Sequence, residues 1–307
     1  MLFLLKIIIA IVVLYVIIRK IGTNDILRIL KGADLYLLSV AVLLMPLNIF
    51  LQYFRWRIFC VNTLKETSRK AAFFSVVEGI SIGLFTPARI GEIFGRKLSL
   101  HNNSLTQVAV MTLVDKIFGM FSIALFGSMA MILYLNYQLN VAPLVTFSLL
   151  VLVGFVFLFF LFLLMNEEYW RTLILNFISR VKFLTKIKPK FEVLKQLDKR
   201  VLLRSIIFSL THYICYLVQY TLLAAAFAGN YDFYILFWGG VLTFFTKTLI
   251  PSFSYGELGI REAISVFYLT GLGYAASVGF NASLSIFFIN IIIPSAVGII
   301  FLFLPDN

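Results

Sequence analysis

LVTFSLLVLVGFVFLFFLFLLM, residues 144–165, contains no charged side chain. As a helix it is long enough to cross a hydrocarbon core of about 30 Å. A soluble fold would have to bury such a segment on every side. The rest of the chain offers too little polar surface for that, because 61% of its 307 residues are hydrophobic and only 13% are charged. Its mean hydropathy of +0.99 points the same way. The bilayer is therefore the solvent, and an all-α polytopic membrane protein is expected, since a helix satisfies its own backbone in lipid.

Outward from this span, the charged residues rule off the others. Leu2 to Ile18, Leu35 to Phe54 with Pro46 inside, Leu105 to Leu135 with Asp115 inside, and Ser205 to Ala228 each read as one crossing. No Asp, Glu, Lys or Arg occurs from Ala263 to Pro305, a length that would reach about 65 Å as one helix. A break near Gly271 and Gly273 leaves a sixth crossing around Ala275 to Leu304. The first run has Lys6 near its start and no small-residue cleavage pattern, so an uncleaved first helix beginning at Met1 is expected.

Two stretches do not read as plain spans. Ala71 to Leu100 is apolar up to Phe85, is interrupted at Thr86 and Pro87, and then carries Arg89, Glu92, Arg96 and Lys97. Phe233 to Thr270 repeats the plan, with an apolar limb to Ile250, Pro251, and then Glu257, Arg261 and Glu262. Proline stops a helix and frees backbone groups that need partners in lipid. Each stretch is expected to be a broken, re-entrant helical hairpin, which gives about six full crossings plus two hairpins. Glu92 and Arg96, and likewise Glu257 and Arg261, stand four apart in the orientation that pairs on one helix face. Interrupted segments in matching places point to an inverted repeat, with 71–135 and 233–304 as candidate halves of a single membrane domain, 1–307.

Orientation comes from the loops. Residues 166–204 hold ten Lys and Arg against four acidic residues, whereas Asn136 to Pro143 holds no charge. The positive-inside rule places the long loop in the cytoplasm and the short one outside. Both chain ends then fall in the cytoplasm, as does a basic loop from Arg55 to Lys70. Inside 166–204, Trp170, Leu173, Ile174, Phe177, Ile178, Val181 and Leu184 recur at helical spacing. They read as an amphipathic helix in the interface, anchoring the topology or recruiting anionic lipid. The net charge of +12 falls mainly between spans, where lipid headgroups are the nearer partner, so no nucleic acid is expected.

Thr86-Pro87-Ala88-Arg89-Ile90-Gly91-Glu92 with Arg96, then Asp115-Lys116 in the following span, then PSFSYGELGIREA from Pro251 to Ala263, resemble the lysylphosphatidylglycerol synthase transmembrane family. That is a flippase-like membrane domain, and the resemblance covers nearly the whole chain. Thr86, Pro87, Arg89, Gly91, Glu92, Pro251, Gly259 and Glu262 match the family's pattern. Ala88 and Glu257 stand where it commonly has glycine, and Lys116 where it has arginine. Losing a glycine restricts close backbone approach, so the first turn is less open to a headgroup. The resemblance implies movement or binding of a phospholipid or polyprenyl-phosphate-type lipid with an anionic headgroup in the cell membrane. Larger members add a soluble synthase domain that transfers an aminoacyl group. The chain given stops at Asn307, and no such transfer is expected of it.

Ionisable residues at membrane depth are functional candidates by default. Here they are Glu78, Arg89, Glu92, Arg96, Asp115, Lys247, Glu257, Arg261 and Glu262. A headgroup site is expected from Thr86, Arg89, Glu92, Arg96, Glu257, Arg261 and Glu262, shared by the two hairpins, with arginine's planar fork holding phosphate. Glu78 and Asp115 are expected to serve as pairing residues that pin helices together. His101, His212, Cys60 and Cys215 form no metal-ligand or catalytic spacing, and neither nucleotide-binding nor hydrolase motifs occur. No enzyme activity, cofactor or metal is expected. A lipid-modifying enzyme using Glu92 or Glu262 as an acid or base, and a membrane scaffold without transport, are the competing readings.

Overall fold

The computed structural model describes residues 14–86, 89–166, 168, 172, 176, 192–250 and 258–302. Their regular structure is helical. In order, the helices are α1 (Thr23–Lys31), α2 (Leu35–Asn62), α3 (Arg69–Leu84), α4 (Gly91–Leu98), α5 (Leu105–Leu139), α6 (Pro143–Met165), α7 (Lys199–Ala228), α8 (Phe233–Leu249), α9 (Ile260–Gly271), α10 (Ala276–Phe287) and α11 (Ile293–Leu302). A π segment, Phe288–Ile292, joins α10 to α11.

Five helices are long and apolar enough to span a membrane: Leu35–Asn62, Leu105–Leu139, Pro143–Leu164, Lys199–Ala228 and Ala276–Phe301. They match five of the six expected crossings. The remaining one, Leu2 to Ile18, falls largely outside the described residues, as does almost all of the amphipathic stretch from Trp170 to Leu184. One boundary is corrected. Arg55 does not open a loop, because α2 continues to Asn62 with Arg55 only 9% exposed. The arginine keeps helical backbone because it finds a buried carboxylate partner, described below.

Both breaks are present: α3 stops at Leu84 and α4 starts at Gly91, while α8 stops at Leu249 and α9 starts at Ile260. The eight residues of α4 and the twelve of α9 would rise only about 12 and 18 Å, short of a hydrocarbon core. Neither limb crosses on its own. The same order of elements, an apolar helix, a break, a short helix and a long span, occurs twice along the chain.

Contacts divide the chain into two compact units, one of residues 1–50, 77–95 and 212–307, the other of 51–76 and 96–211. In the first, the span Ala276–Phe301 is a spine. Gly279 on α10 lies so close to Ser265 of α9 that an added Cβ would sit 2.8 Å from its carbonyl oxygen. Gly298 on α11 meets Val77 and Ser81 of α3 in the same way, and Ser81 Oγ donates to the carbonyl of Ser295 at 2.9 Å. Small residues let helix backbones approach where lipid supplies no hydrophobic drive. One end of the spine therefore holds α9 and the other holds α3.

In the second unit, α5 opens with a reciprocal cap in which the Gln107 N–H reaches Ser104 Oγ and the Ser104 N–H reaches Gln107 Oε1 at 3.0 Å. It closes at Asn140 in the left-handed conformation. Helix α6 lies against it through Phe121, whose ring centroid is 5.0 Å from Phe157 and 5.1 Å from Phe160. Most of the large apolar side chains of α6 are exposed, including Leu144, Phe155 and Leu158, as a lipid-facing helix requires.

Candidate functional site

In the first hairpin, α3 and α4 run antiparallel and meet through glycine. A Cβ on Gly95 would strike the backbone of Glu78 and Gly79, and one on Gly91 would lie 2.5 Å from the carbonyl oxygen of Ile82. The turn is closed by Thr86, whose carbonyl accepts the Arg89 N–H at 3.2 Å and whose hydroxyl accepts the Gly91 N–H at 2.7 Å. Thr86 thus caps the short helix, a role served by hydroxyls at helix starts.

Arg89 adopts φ 53°, the left-handed region that non-glycine residues seldom occupy. Its side chain is half-buried and runs over Gly83, where Nε would lie 3.6 Å from an added Cβ. Around it the turn exposes apolar side chains: Phe85 is 57% exposed, Ile90 55% and Phe94 53%. Glu92, one turn on, is buried with its Cβ against Gly83.

Arg96 belongs to another cluster, in the second unit. Its Nη2 donates to Asp115 Oδ2 at 3.0 Å, and its guanidinium lies 4.0 Å from the centroid of the Trp56 ring. Arg55 reaches the same carboxylate with Nε to Oδ1 at 2.5 Å and Nη2 to Oδ2 at 3.2 Å. Asp115 is 1% exposed, and a buried carboxylate needs this pairing. Trp56 is fixed in turn by its indole N–H, which donates to Ser75 Oγ at 2.8 Å.

In the second hairpin, Arg261 is 2% exposed and Glu262 is fully buried. Glu262 Oε2 accepts the Gly259 N–H at 2.6 Å, so its carboxylate caps the start of α9. Oε1 accepts from Arg261 Nη2 at 3.2 Å and from Ser283 Oγ at 3.4 Å. Arg261 Nε donates to Ser283 Oγ at 3.2 Å, and its guanidinium stands 5.2 Å from the Phe287 ring centroid. Alongside, the Tyr220 hydroxyl is 2.6 Å from Ser265 Oγ, which donates to the Gly279 carbonyl at 2.8 Å.

The residues named from sequence are therefore placed in three settings. Thr86, Arg89 and Glu92 shape the first turn, Arg96 joins Asp115, and Arg261 with Glu262 closes a pair of its own. Glu257 lies outside the described residues. Glu78 is buried on α3, and Lys247 lies half-buried near the end of α8. A groove of about 380 Å³ between α7 and α8 is lined by Val218, Thr221, Leu222, Phe233, Tyr234 and Phe237, and by neither Arg89 nor Arg261.

Sequence reasoning did not single out Arg55, which directly follows the uncharged stretch Leu35 to Phe54 and looked like the start of a loop. It also passed over Asn48, Gln219 and Asn290, neutral amides that form a buried cluster in the first unit. Their signal is weak, an isolated polar residue inside each of three spans.

A search of curated proteins found none that matches the chain. A family model does match. It is that of the Lysylphosphatidylglycerol synthase TM region, it covers residues 3–298, and the chain belongs to that family, as a multi-pass membrane protein of a group tied to lipid handling.

Proposed function

We propose that the protein is a flippase-like lipid translocase of the cell membrane, and that the first hairpin turn receives the anionic headgroup of a phospholipid or polyprenyl-phosphate-type lipid. The observation that carries this reading is Arg89, a half-buried guanidinium on left-handed backbone at a helix break, bordered by exposed Phe85, Ile90 and Phe94. A lipid whose tails stay in hydrocarbon need bring only its head to such a point. Arginine's planar fork matches phosphate oxygens, and Glu92 nearby moderates the charge so that the anion can leave again.

Arg261 and Glu262 serve on this reading as a clamp that holds α9 to α10, with Arg96 and Asp115 as its counterpart in the other unit. The activity needs no bond made or broken, so the protein is read as a non-enzyme. Reconstitution into liposomes with fluorescent phosphatidylglycerol or a fluorescent polyprenyl phosphate tests the reading. Labelled lipid should leave the inner leaflet faster than in protein-free vesicles. Folded protein that moves neither lipid sinks the reading, and a chemically altered lipid would favour the enzyme instead.

A further inference from the structure

The spine helix is interrupted where it passes a buried cluster of amide side chains in its unit. Residues 288–292 form a π segment, a feature often found at functional positions. Pro294 cannot supply the N–H that a regular helix would aim at the Asn290 carbonyl. The Asn290 side chain, 7% exposed, meets Asn48 of α2 and Gln219 of α7, both 0% exposed. Asn290 Nδ2 and Asn48 Nδ2 both donate to Gln219 Oε1, at 2.7 and 2.5 Å. Asn48 Nδ2 also lies 3.3 Å from Asn290 Oδ1, and Gln219 Nε2 donates to the Ala41 carbonyl at 2.7 Å.

The donors of this cluster are engaged, and an acceptor is left over. Asn48 Oδ1 is buried with no hydrogen-bond partner among the described residues. Three carboxamides gathered in an apolar span are costly to desolvate, and an oxygen without a donor there asks for a ligand. We propose that Asn48, Gln219 and Asn290 bind a single monovalent cation, sodium, through their side-chain oxygens.

Neutral amide and carbonyl oxygens can replace a cation's hydration shell, and interrupted helices place them at membrane depth. The cluster itself contains no carboxylate. Since the cost of stripping water from an ion rises with the square of its charge, a divalent ion is disfavoured. Few ligands suit the smaller alkali ions. The terminal torsion of a carboxamide is broad, so Gln219 and Asn290 can turn their oxygens toward an entering ion.

The place of the cluster suggests its use, a use that rests on the lipid reading above. On the same span, Ser283 before the π segment holds Arg261, and Ser295 after it holds Ser81 of α3. An ion at Asn290 would set the helix register between the anchor points of the two hairpins.

Thermal unfolding of the full chain in detergent, in sodium, potassium or choline chloride at equal ionic strength, tests ion binding without any assay of lipid movement. A saturable rise in Tm with sodium, smaller with potassium and absent with choline, is expected. Gln219→Leu should remove it. Asn48→Asp, which adds a carboxylate beside the ion, should lower the half-effective sodium concentration about tenfold. Equal Tm in sodium and choline for the unaltered protein overturns the proposal, as does an unchanged sodium response in Asn48→Asp. Should Gln219→Leu fail to fold, the salt series and Asn48→Asp decide between them. A sodium response without lipid movement in liposomes would sink the lipid reading and leave the site standing.

Discussion

In the first hairpin, α3 and α4 touch through bare backbone at Gly91 and Gly95, and the arginine of the turn stays half-exposed. In the second, Gly239 on α8 faces a leucine side chain, Leu269 of α9, and the arginine is locked to Glu262, Ser283 and Phe287. The two share a proline followed by a glutamate and an arginine four residues apart, Pro87, Glu92 and Arg96 in the first and Pro251, Glu257 and Arg261 in the second. By that spacing Arg96 is the counterpart of Arg261, and both pair with buried carboxylates; the difference lies in a further arginine, Arg89, that the first turn carries. Where a helix start is capped by a threonine hydroxyl, as at Thr86, the arginine of the turn, Arg89, stays half-exposed. Where it is capped by a carboxylate that also pairs with the arginine, as at Glu262, both charged groups are buried.

The largest expected effect lies in the second hairpin. Glu262→Ala removes the carboxylate that pairs with a buried guanidinium and caps α9, and removing one partner of such a pair costs about 3–5 kcal/mol. Most of the folded peak on detergent size exclusion should disappear, and Arg261→Ala should behave similarly. An Arg261→Ala protein with unaltered Tm would break the comparison.

A smaller contrast separates the glycines. Gly95→Ala drives a Cβ into the backbone of Glu78 and Gly79, an overpacking worth about 1–3 kcal/mol. Gly239→Ala meets the end of the Leu269 side chain, 2.5 Å away, which can rotate aside, so a loss under about 1 kcal/mol is expected. Thermal unfolding of the two variants should rank them in that order. The reverse order would mean that the first hairpin is the looser one.

Arg89→Gly relieves the strain an arginine bears at φ 53° and gives up the contacts of its side chain, so a net change in stability within about 1 kcal/mol is expected. A clear drop in Tm would show that the Arg89 side chain holds the fold as Arg261 does.

The smallest effect concerns the base of the second hairpin. Asp34 sits below its usual range because the Leu37 N–H and then the Tyr231 hydroxyl hydrogen-bond its carboxylate. Its folded value being depressed, its contribution is complete above the ordinary carboxyl range, near about 4, and fades as pH falls through the lower folded value. Asp34→Asn should therefore cost a little stability at pH 7 and nothing in strong acid. A difference in Tm that persists or grows in acid would contradict this.

Much of the fold was legible because charge is so unfavourable in hydrocarbon that it marks span ends, and because Pro87 and Pro251 flag breaks. Arg55 shows where that logic fails. Paired with Asp115, a charge need not end a helix, and its partner, 60 positions away, leaves no local trace. The i,i+4 partner that the sequence gives Arg261, Glu257, lies outside the described residues. Arg261 pairs with the adjacent Glu262, a contact made at the first turn of a helix, where side chains are free to swing back over the cap. The π segment stands where Pro294 withholds the N–H that the Asn290 carbonyl would accept, a signal that a reading by charge alone passes over.

The central claim, that Arg89 meets lipid while Arg261 holds the fold, is tested most directly by movement of fluorescent phosphatidylglycerol in liposomes carrying equal amounts of folded protein. Arg89→Gly is expected to reconstitute normally and to fall to the rate of protein-free vesicles. An Arg89→Gly protein that moves lipid at the rate of the unaltered chain would contradict it.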